Sequence, residues 1–205
     1  MDRTIIFGSS GHIGAKIYTT LSKKQAIHTS SRSSESNTAK FIKLDLVDKK
    51  AVDDFADKYD RFKIVIFLTG LAHNKGSKKD FQKHERANYL TLKNLLESLK
   101  DKNKIPDKII FASTIAVYGE TMNKESYTEE LPLFPRSPYA ATKKKSEEYL
   151  LRYYKEKSWI LRLAPVYDTD FQLNINRRTL FFRMHYRVSD GRKRLSLCNM
   201  RNVES

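Results

Sequence analysis

The stretch RTIIFGSSGHIGAKIYTTLS, residues 3–22, decides the fold. It opens as a short apolar strand, passes through a tight turn, and continues from about His12 as an amphipathic helix. Three glycines punctuate the turn at Gly8, Gly11 and Gly14. Gly8 permits the turn, Gly11 lets the backbone approach a pyrophosphate, and Gly14 lets the helix pack closely on the strand. His12 and Ile13 open the helix, whose first N–H groups and positive dipole end suit phosphate oxygens; for His12 the backbone N–H matters more than the ring. A glycine triplet alone is as often an ordinary loop. Here it follows a strand and precedes a helix, the context that a dinucleotide-binding loop requires.

Outward from this unit the chain alternates strand and helix. Strands are expected near 3–7, 25–29, 40–44, 63–68, 108–113 and 158–163, and helices near 12–23, 49–58, 80–100 and 138–156. Such alternation predicts an α/β fold, a Rossmann-like doubly wound parallel sheet with helices on both faces and its ligand outside the carboxyl ends of the strands. Residues 120–138, with three prolines and several acids, read as a surface loop ahead of the last helix.

That helix carries the second informative stretch, SPYAATKKKSEEYL, residues 137–150. Tyr139 and Lys143 lie four apart, so a helix sets both side chains on one face, one turn apart. An ammonium beside a phenol favours the phenolate, which would let Tyr139 act as acid and base near neutral pH. Thr114 closes the strand-like run KIIFAST, residues 108–114, where its hydroxyl can hydrogen-bond the oxygen that gains or loses the proton. A Tyr-x-x-x-Lys pair by itself is more often a solvated helix face. The glycine loop upstream gives it meaning.

With these pieces in order, the chain resembles the extended short-chain dehydrogenases/reductases, of the NAD-dependent epimerase/dehydratase family that acts on nucleotide sugars. The matching segments are GSSGHIG, the Asp45-Leu46 pair, FLTGLAH, Asn88 in RANYLTLKNLLESL, FASTIAVYGE, SPYAATK and LRLAPVYD. The resemblance implies a cofactor site formed by Gly8, Gly11, His12, Ile13, Gly14, Asp45, Leu46, Leu68, Thr69, Gly70, Asn88, Tyr139, Lys143 and Pro165. It implies catalysis by Thr114, Tyr139 and Lys143, with Lys143 also holding the nicotinamide ribose. Ser113, Thr114 and Tyr139 would meet the substrate, with Tyr118 either a further contact or a packing residue. Arg194, at or beside the family's diphosphate-binding arginine, would join them. Dehydratases of the family follow the active-site hydroxyl with an Asp-Glu pair; Ile115-Ala116 stands there instead, so dehydration is disfavoured. Epimerisation of a nucleotide sugar or reduction of a keto-sugar remains, of bacterial surface-polysaccharide type by family analogy.

The resemblance also implies that residues 1–167 form the NAD(P)-binding domain with the Tyr/Lys helix, and that 168–205 begin a substrate lobe. Family members continue beyond Ser205, so the expected lobe is incomplete. Phe171, Leu173, Ile175, Leu180, Phe181 and Phe182 would then be covered by a second copy of the chain, a homodimer, or left without fixed structure. Asp168 replaces a common glycine and Arg201 a common acid. A dinucleotide-binding module with little turnover is the corresponding alternative.

The choice between NAD and NADP falls on AIHTSSRSS, residues 26–34, where no acid stands at the end of the second strand to bond the adenosine ribose. Ser31 and Arg32 favour a 2′-phosphate and hence NADP, with stacking of Arg32 on adenine or exposure to solvent as the other readings. The single cysteine, Cys198, excludes an internal disulfide and suits a reducing cytoplasm. The longest apolar runs, such as residues 64–68, are far too short for a membrane span, and the N-terminus enters a strand without a signal-like segment. His73 reads as a loop histidine beside the cofactor cleft, and His84 and His185 have no partners at metal spacing. The net charge is +15, and residues 171–205 hold eight Lys or Arg against two acids. Such a surface attracts nucleic acid nonspecifically, a remote third reading, but no nucleic-acid motif accompanies it. The tail's arginines better suit a substrate diphosphate.

Overall fold

The structure is a computed structural model that describes residues 3–24, 27–31, 40–71, 78–119, 127–170, 172, 175–176, 180–181, 184–185 and 196–204. Ala26, Arg32, His73, Phe171, Leu173, Phe182 and Arg194 lie outside the described residues.

Strands β1 (Thr4–Phe7), β2 (Ile27–Ser31), β3 (Phe41–Lys43), β4 (Ile64–Phe67), β5 (Lys108–Thr114) and β6 (Ser158–Leu163) form one sheet in the order β3-β2-β1-β4-β5-β6. The pairs β1–β2, β2–β3, β1–β4 and β4–β5 are parallel, with Phe7 opposite Ser30 on one side and Phe67 on the other. The order reverses beside β1, so the crevice there is the place where a doubly wound fold takes its ligand. All four residues of β1 are buried, as expected of a central strand covered on both faces.

Helices α1 (His12–Ser22), α2 (Lys49–Lys58), α3 (Lys78–His84), α4 (Thr91–Asp101) and α5 (Pro138–Tyr153) cover the sheet. Asp48 caps α2 by accepting from the Ala51 N–H, and Val52, Phe55 and Ala56 turn inward from that helix. Ser137 caps α5 by accepting from the Ala140 N–H at 3.2 Å, with Pro138 at the first helical position. The core joins Phe7, Phe55, Phe62, Phe67 and Phe111 to leucines of α4 and to Leu150 of α5. Fully burying each of these side chains is worth about 1.5–3 kcal/mol, so the sheet position of every helix is strongly set.

The helix expected over 80–100 has a different course. Residues Glu85–Leu90 form a π-helical turn between α3 and α4. Apolar periodicity does not distinguish a 3.6-residue turn from one wider turn within a longer helix, whereas tertiary bonds do. Asn88, inside the π turn, is wholly buried and tied to the β4 loop and to α5.

The chain divides into two compact units, Met1–Arg162 and Leu163–Ser205. Within the second, β7 (Val166–Tyr167) pairs in parallel with β10 (Cys198–Asn199), and β8 (Leu180–Phe181) pairs antiparallel with β9 (Met184–His185). A short helix α6 (Met200–Glu204) follows, with Met200 buried. Pro165 contributes its carbonyl to the Cys198 N–H at 3.1 Å. Burial raises the Cys198 thiol above its ordinary pKa, which suits a packed apolar role rather than a nucleophile. No described helix is long and apolar enough to cross a membrane.

Candidate active site

The loop after β1 is shaped by two glycines. Gly8 has φ +92°, a left-handed conformation strained for any other residue, and a Cβ on it would lie 2.9 Å from the Thr69 backbone nitrogen. The turn after β1 is therefore pressed against the end of β4. A Cβ on Gly14 would lie 2.2 Å from the Gly8 carbonyl oxygen and 2.8 Å from Ser9 Cα, so α1 sits directly on the loop. The Gly11 N–H donates to the Gly8 carbonyl at 3.1 Å. Gly11 is also the N-cap of α1, with neither a side-chain cap bond nor an acid in the first turn to neutralise the helix's positive end at His12 and Ile13.

A cavity of about 740 Å³ opens here, a size typical of small-molecule sites. Gly8, Gly11, Asp45, Leu46, Leu68, Thr69 and Gly70 line it. Ser30 at the end of β2 joins them, with Gln82 and Lys83 of α3 and Arg86 of the π turn. The side chain of Asp45 is used locally, accepting from the Val47 N–H at 3.1 Å to fix the loop after β3. A side-chain-free cradle at an uncapped helix start, flanked by basic residues, fits a dinucleotide pyrophosphate. Gln82, Lys83 and Arg86 are not among the residues that the sequence singles out. Ser31 ends β2; its Arg32 neighbour lies outside the described residues.

The residues expected to be catalytic converge where α5 docks on β5. Thr114 ends β5 and caps the following 3-10 turn, Ile115–Tyr118, by accepting from the Ala116 N–H at 3.2 Å. The phenol of Tyr139 lies within reach of the same hydroxyl, which works to lower its pKa. Lys143, buried one turn along α5, donates from Nζ to the Ala112 carbonyl at 2.8 Å and lies 4.6 Å from the Phe111 ring centre. A Cβ on Gly70 would lie 3.2 Å from Lys143 Nζ and 3.1 Å from Asn88 Oδ1, so the β4 loop, the π turn and α5 meet at one point. Asn88 secures that junction, accepting from the Leu71 N–H at 2.6 Å and donating to Thr142 Oγ1 at 3.1 Å.

The electrostatics bear on the expected phenolate. Burial raises the Tyr139 phenol above its ordinary pKa, and the Thr114 hydrogen bond acts in the opposite direction. Burial also lowers the Lys143 ammonium to about 8, with the Glu147 carboxylate working the other way. Desolvation, the larger effect, opposes the phenolate that Lys143 is expected to favour.

The buried Ser113 hydroxyl donates to Glu147 Oε1. Tyr118 is a packing residue: its hydroxyl accepts from Arg162 at 2.8 Å and its ring lies against Tyr127. Glu147, buried, and Arg162, partly exposed, form an ion pair at 2.8 Å that no local sequence signal announces.

Comparison with known proteins agrees with this geometry. Over 117 residues the chain is 30% identical to the low-salt glycan biosynthesis protein Agl12 of Haloferax volcanii, covering 57% of this chain and 36% of that protein. The structure is similar to the UDP-glucose 4-epimerase of Thermus thermophilus in complex with NAD, at TM-score 0.78 and 24% identity over 98% of this chain and 72% of that one. It is also similar to the UDP-Glc/GlcNAc 4-epimerase of Campylobacter jejuni (TM-score 0.70, 25% identity, 82% of this chain and 54% of that one). The UDP-glucuronic acid 4-epimerase of Bacillus cereus, in complex with UDP-glucuronic acid and NAD, gives 0.67 and 25% over 80% and 57%. The chain thus spans about a third of the curated relative and little more than half of the latter two structures. The profile of the NAD dependent epimerase/dehydratase family matches residues 4–201, and the chain belongs to that family.

Proposed function

We propose that the protein uses a nicotinamide dinucleotide, NADP in preference to NAD, to epimerise a nucleotide sugar or to reduce a keto-sugar carried on a nucleotide. The Thr114–Tyr139 hydroxyl pair, set beside buried Lys143, carries this reading. Bound nicotinamide would supply the hydride acceptor and donor. Tyr139 Oη gives its proton to, or takes one from, the sugar oxygen, and burial keeps that proton in place until a partner oxygen arrives. Thr114 orients the same oxygen. Lys143, charged below about pH 8, balances negative charge as the phenol gives up its proton and would hold the nicotinamide ribose. Gly8, Gly11, Gly14 and the start of α1 would hold the pyrophosphate. Ile115 and Ala116 put no carboxylates after Thr114, which supports hydride transfer without dehydration.

The NADP preference rests on Ser31 and Arg32 standing where an acid would select NAD. A charge-assisted phosphate contact is worth about 1.5–3 kcal/mol, one to two decades of affinity. Fluorescence titration should therefore show NADPH binding tighter than NADH, with the difference abolished in Arg32→Ala. Equal affinities in the unmodified protein would exclude the preference. Incubation with NADP and a panel of UDP-sugars, followed by product chromatography, tests the reaction. An epimer or a reduced sugar is expected; a dehydrated keto-sugar would contradict the reading.

A further inference from the structure

Glu147 lies one turn beyond Lys143 and two beyond Tyr139 on α5, and it is wholly buried. Arg162 of β6 grips its carboxylate, with Nε 3.1 Å and Nη2 2.8 Å from Oε2, while the Ser113 hydroxyl donates to Oε1. The remaining Arg162 nitrogen, Nη1, donates to the Tyr118 hydroxyl at 2.8 Å and the Glu129 carbonyl at 3.0 Å. Every bond that fixes this carboxylate ties α5 to β5 or β6. Buried ion pairs are often no more stabilising than apolar residues of the same volume, so overall stability alone does not account for one here.

Its position does. Three consecutive β5 residues meet three α5 residues: the Ala112 carbonyl accepts from the Lys143 ammonium, the Ser113 hydroxyl donates to Glu147, and the Thr114 hydroxyl lies close enough to Tyr139 to lower the pKa of its phenol. A slip of α5 along β5 would break all three contacts together.

We propose that Glu147, clamped by Arg162 and Ser113, is a positioning residue that holds Tyr139 against Thr114 and supplies the buried negative charge facing Lys143. The groups around Lys143 leave this role to Glu147. On α5 the others are Tyr139, held neutral, and Lys144 and Lys145, paired with Glu148 and Glu85. From β5 come the Ala112 carbonyl and the Phe111 ring, neither of them charged. The α3 and π-turn segment offers His84, whose ring centre lies 6.2 Å from that of Tyr139, and Asn88, which is uncharged. Arg162 and Tyr118 bind to each other and to the Glu147 side of the network. Burial works against the Lys143 charge, and Glu147 opposes it.

The proposal rests on Lys143 being the partner of Tyr139, yet its test reads the ammonium directly and needs no turnover. In protein carrying isotope-labelled lysine, the Lys143 side-chain resonance, assigned with Lys143→Arg, is followed against pH by NMR. Glu147→Gln keeps shape and removes charge, so the midpoint should fall by about one pH unit, the low end of what a nearby opposite charge does. Arg162→Met leaves Glu147 with one neutralising charge fewer, so the midpoint should hold or rise. An unchanged midpoint in folded Glu147→Gln, or an equal fall in both variants, would overturn the proposal and leave the network a packing role only. Should circular dichroism show Glu147→Gln unfolded, Arg162→Met decides alone, and a fall there overturns it. Loss of hydride transfer in the unmodified protein would count against the proposed function without moving either midpoint.

Discussion

Lys143 is the residue that the fold accommodates least readily. Its ammonium is buried against Phe111 and bonded to one carbonyl, and its pKa drops from 10.5 to about 8. At roughly 1.4 kcal/mol per pKa unit, the charged form costs about 3 kcal/mol at neutral pH. Lys143→Met would remove that cost but leave the buried Ala112 carbonyl unpaired, a penalty of about 1 kcal/mol. The net gain, about 2 kcal/mol, corresponds to a melting temperature higher by roughly 4–8 °C at pH 7 for a chain of this size. The sign follows from proton counting. Between about pH 8 and 10.5 the unfolded chain holds the Lys143 proton and the folded chain does not. The unmodified protein is therefore relieved of the cost as pH rises through that window, and the advantage of Lys143→Met should shrink. Thermal melts at pH 7 and pH 9.5 check this; a destabilised variant at pH 7 would show that the ammonium contributes to stability. Proton-transfer chemistry should be lost in the same variant, an exchange of function for stability at an active site.

Among the elements, the β1–loop–α1 unit is the most constrained. The Gly14 Cα lies so near the Gly8 carbonyl that even one added methyl group must displace backbone. Gly14→Ala should destabilise the chain by about 1–3 kcal/mol, the usual range for overpacking, and weaken dinucleotide binding at least as much. Denaturant melts and a cofactor titration read the two effects separately. A variant as stable and as tightly binding as the parent would mean that α1 does not pack on the loop. This unit was legible in sequence because its signals are local: an apolar run, three glycines at fixed spacing and a helical period. The Tyr139–Lys143 pair was legible for the same reason, one helical turn being fixed by the number four. What escaped depends on long-range contacts. Glu147 and Arg162 are fifteen positions apart and meet only because β6 folds back beside β5. The π turn at Glu85–Leu90 is fixed by Asn88 reaching Leu71 and Thr142, and no periodicity announces it. That the Ser113 hydroxyl is taken up by Glu147 escaped for the same reason. The direction of the Tyr139 pKa escaped too, since burial is a property of the packed helix and not of spacing.

For the molecule as a whole, the glycine cradle, the cavity and the Thr114–Tyr139–Lys143 cluster all lie in the unit Met1–Arg162. On the proposed function, cofactor binding and proton transfer are therefore separable by substitution within one body. The phenol oxygen of Tyr139 would carry the proton, while its ring lies against His84. Tyr139→Phe should leave cofactor affinity nearly unchanged and abolish hydride transfer. The direct measurement is a single-turnover experiment in which a nucleotide sugar is mixed with protein and cofactor and the reduced-nicotinamide absorbance is followed in parent and variant. The account predicts an absorbance change in the parent and none in a Tyr139→Phe protein that still binds cofactor. A change of equal rate and amplitude in Tyr139→Phe would contradict it.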